Sequence, residues 1–263
     1  MRLLLVGCGH LGQTMLRRWL VQNPDLNCTI IKPSPLPAEF TGKNLAWHTT
    51  LPADAPQPDI ILYAVRPQQL ADVLPAYRNL AVQALNISVA AGWPLAKFTP
   101  HLGAVRLVRT MPNLPAQIGQ GVTPAIANAQ CTAADRSTTN QLFSMIGRVV
   151  WLEAEQQMDA ATALSGSGPA YVFYLAAAMR EAGIALGLSA ELASDLARAT
   201  VQGAGNYLAE PDMDIATLYR AMLLPGGTTE AAFTRLLATD GLQPIILEAM
   251  QRAAARAAAI GKS

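Results

Sequence analysis

Gly7-Cys8-Gly9-His10-Leu11-Gly12 follows a short apolar run and opens a helical pattern through Met15, Leu16, Trp19 and Leu20. Glycines at this spacing let the chain turn tightly, let its backbone approach a pyrophosphate, and let helix and strand pack closely. The helix N-terminus adds unpaired N–H groups and the positive end of a dipole. The chemistry is dinucleotide binding, with Gly7, Gly9, His10, Leu11 and Gly12 against the pyrophosphate. A carboxylate about 20 residues further on would take a ribose 2′-hydroxyl. The chain instead reads Ile30-Ile31-Lys32-Pro33-Ser34, without an acid. Lys32 and the Ser34 hydroxyl suit a 2′-phosphate, so NADPH is the expected cofactor, with NADH as the alternative. Two further stretches, Ala64-Val65-Arg66-Pro67 and Ala90-Ala91-Gly92, end strand-like runs. An open parallel sheet has its ligand crevice there, and small residues let a cofactor lie close.

Three more segments are too rich in turn residues to be plain helix connectors: Met111-Pro112-Asn113-Leu114-Pro115, Ser165-Gly166-Ser167-Gly168-Pro169 and Pro225-Gly226-Gly227-Thr228-Thr229. In the last, Thr228 or Thr229 can cap a helix running through Glu230, Ala231, Phe233 and Leu236. Gly226 and Gly227 would then expose backbone N–H groups at a helix N-terminus, a nest for a carboxylate; a glycine turn before a capped helix is the plainer reading.

The elements that must position these residues fall into two textures. Short β-like runs at 2–6, 28–31, 59–65, 85–90, 104–109, 121–127 and 148–152 alternate with helical patterns, the rhythm of βαβ units. Several runs, notably Ile60 to Val65, are apolar on both faces, as expected where helices cover both sides of a largely parallel sheet. From about Glu155 the chain turns to Ala, Leu, Met and Glu at helical spacing, over 169–186, 190–208, 215–223 and 241–260. The expected fold class is α/β: a doubly wound, mostly parallel sheet over 1–154, followed by an all-α domain over 155–263. Alanine-rich faces at 176–178 and 253–255 suit close helix approach at a dimer interface.

Composition narrows the function classes. The 263 residues are 51% hydrophobic and 14% charged, with a formal net charge of +1. No apolar run approaches the roughly 20 residues that cross a bilayer, so the apolar surplus points to a subunit interface. Without a basic tract or acidic run there is no footprint for nucleic acid or a membrane surface. The start at Met1 to Val6 reads as a first strand, and the expected location is the cytoplasm. Cys8, Cys28 and Cys131 are odd in number and widely spaced, fitting reduced, buried thiols better than disulfides or a metal site; His10, His48 and His101 are equally scattered.

Taken together these motifs resemble pyrroline-5-carboxylate reductase over essentially the whole chain. The glycine loop is followed in family order by Ala64 to Pro67, Ala90 to Gly92, Met111-Pro112-Asn113, Met158-Asp159-Ala160, Ala163 through Tyr171, and Pro225 to Thr229. The resemblance implies a Rossmann-like domain followed by a helical dimerisation and substrate domain interlocked with a second subunit. It implies a homodimer or ring of dimers that reduces a cyclic imino acid, 1-pyrroline-5-carboxylate, to L-proline, the last step of proline biosynthesis. By the same resemblance Gly226, Gly227, Thr228 and Thr229 bind the substrate carboxylate. Thr229 sits near the ring nitrogen as the catalytic hydroxyl, and the nicotinamide lies beside Ala90, Ala91 and Gly92 and beside Met111, Pro112 and Asn113. Glu155 stands where relatives often carry an acid near the substrate amine, though a solvated helix-start glutamate is the simpler expectation.

Three positions depart from the family pattern: Leu224 replaces a serine before Pro-Gly-Gly, Leu114 replaces a threonine after Met-Pro-Asn, and Lys32-Pro33-Ser34 replaces Asn-Arg-Ser. A paralogue for another cyclic imino acid therefore stays open, as does a non-catalytic NADPH-binding regulator. A β-hydroxyacid dehydrogenase would place a lysine on the helix after the sheet, and residues 159–179 contain none.

Overall fold

The computed structural model describes residues 1–40, 44–210 and 214–261. Eight strands form one sheet: β1 (Arg2–Val6), β2 (Asn27–Ile31), β3 (Leu45–His48), β4 (Ile60–Tyr63), β5 (Leu85–Ser88), β6 (Leu107–Thr110), β7 (Gly121–Ala127) and β8 (Gly147–Trp151). Their order is β3-β2-β1-β4-β5-β6-β7-β8, and every pairing is parallel except β6 with β7. The connection from β6 to β7 is too short for a crossover, so these two strands pair antiparallel.

Alternate residues of the central strands go to opposite faces. Leu3 and Leu5 of β1 pack with Met15, Leu16, Trp19, Leu142 and Phe143, whereas Leu4 and Val6 pack with Tyr63, Leu74, Tyr77, Trp93 and Phe98. Both faces are covered, as the doubly apolar runs required. The His10–Gln22 helix buries Thr14, Met15, Leu16, Trp19 and Leu20, one stripe at helical spacing. The crossover after β4 is instead broken into single turns, Leu70–Val73 and Arg78–Ala81, with 3-10 turns between and before them. Pro67 is the first residue of one of those 3-10 turns and Pro75 the second of the other, positions where a missing N–H costs least.

Two elements differ from the sequence expectation. β3 was not anticipated: four residues at the sheet edge, exposed from Ala46 to His48, carry no two-sided apolar signature. The turn-rich segment around Ser165 is itself helical. It winds as a π-helical turn over Thr162–Gly166, just before the Gly168–Ala185 helix.

The chain forms two compact units, one of residues 1–167 with 253–263 and one of residues 168–252. In the second, the Gly168–Ala185 and Ala190–Leu208 helices form a hairpin in which Gly183 lets Ala193 approach closely. The Ile215–Ala221 and Thr228–Leu236 helices meet through stacked rings of Tyr219 and Phe233, 5.6 Å between centroids. No helix among the described residues is long and apolar enough to cross a membrane.

Candidate functional site: a dinucleotide crevice and a glycine-threonine nest

The parallel strands β2, β1, β4, β5 and β6 end along one edge of the sheet, and most expected cofactor residues lie there. Gly7 follows β1, Lys32 follows β2, Ala64 follows β4, Ala90 lies just beyond β5 and Met111 follows β6. The order β3-β2-β1-β4-β5-β6 reverses direction between β1 and β4, the switch point where such sheets bind dinucleotides. A cavity of about 460 Å³ opens there, lined by Gly7, Cys8, Gly9, Lys32, Pro33, Ser34, Ala64, Val65 and Arg66 among others. It also brings in Thr49, Thr50, Gln69 and Tyr77, which the sequence reading missed. Thr49 and Thr50 follow the edge strand β3, so without that strand nothing in the sequence placed them beside Lys32. Ala90, Ala91, Gly92, Met111, Pro112 and Asn113 are not part of its lining.

The glycine loop has the geometry its spacing requires. Gly7 has φ +84°, and a Cβ there would lie 2.7 Å from Val65 Cγ1 and 2.8 Å from the Ala64 carbonyl oxygen. Gly9 is the N-cap of the His10–Gln22 helix and offers it no side chain. A Cβ on Gly9 would point into open space, room for a phosphate to meet the first N–H groups of the helix. At the other end of the cavity Lys32 Nζ donates to Ser34 Oγ at 2.8 Å and to the Pro35 carbonyl at 3.0 Å. The Ser34 hydroxyl thus keeps its proton free for a second acceptor. These features fit NADP without adjustment: an uncapped helix N-terminus, an open glycine, and a cation and hydroxyl already paired at the tip of β2.

The turns after β5 and β6 are held differently. Asn113 is buried; its Nδ2 donates to the Ser165 carbonyl at 2.9 Å and its Oδ1 accepts the Val122 N–H at 3.0 Å. Its side chain therefore ties the Met-Pro-Asn turn to the π-helical turn and to β7. Glu155 is neither a solvated helix-start residue nor a free acid. Its carboxylate accepts the Leu95 N–H at 2.7 Å and pairs with the buried guanidinium of Arg109 at 3.1 Å, and Asp159 lies 3.7 Å from the same guanidinium. Arg109 carried no signal in the sequence beyond being, with Arg106, one of two arginines in a short β-like run.

The Pro-Gly-Gly-Thr-Thr segment lies in the second compact unit. Leu224 to Gly227 form a turn closed by Gly227 N–H to the Leu224 carbonyl, 2.9 Å, with Pro225 second and Gly226 third at φ +73°. This is the type II pattern, which wants proline and then glycine. The expected threonine cap is corrected: the N-cap is Gly227, without a side-chain cap, and Thr228 begins the helix. The cap position lacks a hydroxyl because the turn ends on the second glycine. The N–H groups of Thr228, Thr229 and Glu230 are therefore left for an outside acceptor. The carboxylate of Glu230 already accepts the Gly226 N–H at 2.7 Å.

Residues 155–260 match the family model for the pyrroline-5-carboxylate reductase dimerisation region. A pyrroline-5-carboxylate reductase of Pseudomonas aeruginosa is 41% identical over 206 residues, 78% of this chain and 75% of that one. The chain belongs to the pyrroline-5-carboxylate reductase family. The solved structure of a Coxiella burnetii pyrroline-5-carboxylate reductase superposes with a TM-score of 0.91 at 28% identity, covering 100% of this chain and 99% of that one. The Plasmodium falciparum pyrroline carboxylate reductase, crystallised with NADP bound, superposes at 0.87 with 26% identity, covering 99% and 98%.

The family's dimerisation region explains the surface of the second unit. The Gly168–Ala185 helix has no buried residue, and Val172, Phe173, Tyr174 and Leu175 are all exposed. Apolar surface on that scale is covered in a homo-oligomer. Of the three thiols, Cys8 and Cys28 are buried as expected and Cys131 is only half-buried. Burial pushes the Cys8 thiol up to about 11 despite the nearby Lys32 and Arg17 cations. About 0.1% of Cys8 is then thiolate at pH 8, and alkylation at that pH is expected to leave it intact while an exposed model thiol is consumed. Mass-mapped modification of Cys8 at the model rate would contradict the buried glycine loop.

Proposed function

We propose that the protein reduces 1-pyrroline-5-carboxylate to L-proline, the last step of proline biosynthesis, with NADPH as hydride donor. The reading is supported by two features, each within its own unit: a dinucleotide crevice whose Lys32 and Ser34 suit a 2′-phosphate, and an uncapped Gly-Gly-Thr-Thr helix start that suits a carboxylate. When bound, NADPH supplies the hydride. The protein's part is to hold and to orient. Gly7, Gly9, His10, Leu11 and Gly12 carry the pyrophosphate, Lys32 and Ser34 the 2′-phosphate, and Ala64, Val65, Arg66 and Pro67 the adenosine side. Ala90, Ala91 and Gly92, with Met111, Pro112 and Asn113, shape the nicotinamide side.

In this reading the turn built by Gly226 and Gly227 presents the backbone N–H groups of Thr228 and Thr229 to the substrate carboxylate, which fixes the imine carbon for attack. The Thr229 hydroxyl sits near the ring nitrogen, where its oxygen accepts the N–H of the protonated imine and keeps the proton on nitrogen. A protonated imine is electrophilic without a histidine or aspartic acid, so the absence of such an acid from the nest is no obstacle. Functionally, residues 1–154 serve as the NADP domain and 155–263 as the dimerisation and substrate domain, although 155–167 and 253–263 belong to the same compact unit as the sheet. The assembly is a homodimer or a ring of dimers working in the cytoplasm, with no role at nucleic acid or membrane. The Leu224 rim would tolerate an alternative substrate, a larger or six-membered cyclic imino acid, because it is apolar where the family pattern has a serine.

Two outcomes are expected. Expression of the wild type restores growth of a proline auxotroph lacking its own reductase, whereas failure to do so by soluble protein would move the assignment to the larger imine. Lys32→Ala weakens NADPH binding by about tenfold or more, the worth of a charged hydrogen bond, and leaves NADH within about twofold. Equal losses for both cofactors, measured by fluorescence titration, would remove Lys32 from the 2′-phosphate.

A further inference from the structure

The turn after β5 is met by the chain's own C-terminal end. The last residues of the Leu242–Ile260 helix belong to the same compact unit as the sheet, and they pack directly on Gly92. Gly92 has φ +69°; a Cβ there would lie 2.6 Å from the Ala257 carbonyl oxygen and 2.9 Å from both Gly261 N and Ile260 Cβ. The contact is reciprocal, since a Cβ on Gly261 would run into the Gly92 carbonyl oxygen. Gly92 is therefore small for the sake of this helix end, whatever it offers a cofactor.

The turn has little freedom elsewhere. Val89 N–H donates to the Tyr63 carbonyl at 3.1 Å, and Ala90 N–H to Ser88 Oγ at 3.2 Å. Beyond the turn, buried Trp93 packs edge-on to Phe98, 6.2 Å between centroids. Leu95 N–H is fastened to Glu155, itself held by Arg109. With both flanks anchored, pressure from the helix end is taken up by Ala90, Ala91 and Gly92. We propose that Ala257, Ile260 and Gly261 are positioning residues for hydride transfer: they set the height of the Ala90–Gly92 turn and so the seat of the nicotinamide. The proposal rests on the reading above that places the nicotinamide beside this turn.

Hydride transfer needs donor and acceptor within a few tenths of an ångström of their best approach, and a misplacement of about 1 Å costs about a hundredfold. Gly261→Ala pushes the turn by part of that distance, whereas Ile260→Ala removes support from it. Each variant is expected to lower kcat by about three- to tenfold, leave NADPH affinity within about twofold, and raise the isotope effect with NADPH deuterated at the transferred position. The emission of NADPH bound to the enzyme, read without substrate, should also change in both. This last readout separates the two claims: NADPH bound without turnover of pyrroline-5-carboxylate by wild type defeats the assigned activity, while the emission still reports on the seat. Unchanged isotope effect and unchanged bound-NADPH emission in both variants would overturn the proposal. So would losses of kcat that simply follow loss of NADPH affinity or a lower melting temperature.

Discussion

Gly7→Ala is expected to lower NADPH affinity by at least about a hundredfold and to destabilise the fold at the same time. The residue sits at φ +84°, where an L side chain costs roughly 1–2 kcal/mol. Its Cβ would also meet backbone atoms, the Ala64 oxygen and the Val65 nitrogen, both at 2.8 Å. Backbone on both sides cannot yield as a flexible side chain would, so the loop must move and its N–H groups lose their aim. A hundredfold loss is about 2.7 kcal/mol, more than the φ cost alone, and the clash with the Ala64 and Val65 backbone supplies the remainder. Gly9→Ala makes the informative contrast. Gly9 has φ −75° and open space around it, so alanine there should fold normally and lose only the close approach of the pyrophosphate. Equilibrium titration beside thermal melts of the two variants checks both statements; wild-type affinity in a folded Gly7→Ala protein would contradict the loop geometry.

The second large effect is on stability. Arg109→Ala removes a buried cation and leaves Glu155 and Asp159 facing each other without it. Stripping one partner from a buried pair typically costs 3–5 kcal/mol. Glu155 and Asp159 retain 27% and 35% exposure, so about 3 kcal/mol is the expected loss. For a chain of this size that is a fall of about 6–12 °C in melting temperature. Adding Glu155→Gln to Arg109→Ala should recover part of it, because the uncompensated charge is gone even though the Leu95 N–H keeps an acceptor. Strict additivity of the two single losses would show that Arg109 and Glu155 are not a pair in solution.

Much of the crevice was legible from the sequence because its signals are local. A glycine loop between an apolar strand and a helix, an acid missing at the end of β2, and small residues at strand ends are each read within a few neighbours. What escaped is of another kind. The edge strand β3 is short and exposed and lacks the alternation that marks a strand, so Thr49 and Thr50 were hidden with it. Arg109 meets Glu155 across 46 residues of chain, and Gly92 meets Gly261 across a still longer interval, so neither contact leaves a periodic trace. The misplaced threonine cap has a local cause. Either of two consecutive threonines after two glycines can begin a helix, and the type II turn, which needs Gly226 at its third position, decides that Gly227 takes the cap.

The central claim is tested most directly by following NADPH absorbance with purified protein and 1-pyrroline-5-carboxylate, against NADH and a six-membered cyclic imino acid, for wild type and Thr229→Ala. The account predicts stoichiometric formation of proline, with NADPH and the five-membered ring favoured and kcat reduced by about a hundredfold or more in the threonine variant, the usual scale of a lost proton-holding group. Tight NADPH binding without turnover of the five-membered imine, or full activity after loss of the Thr229 hydroxyl, would contradict it.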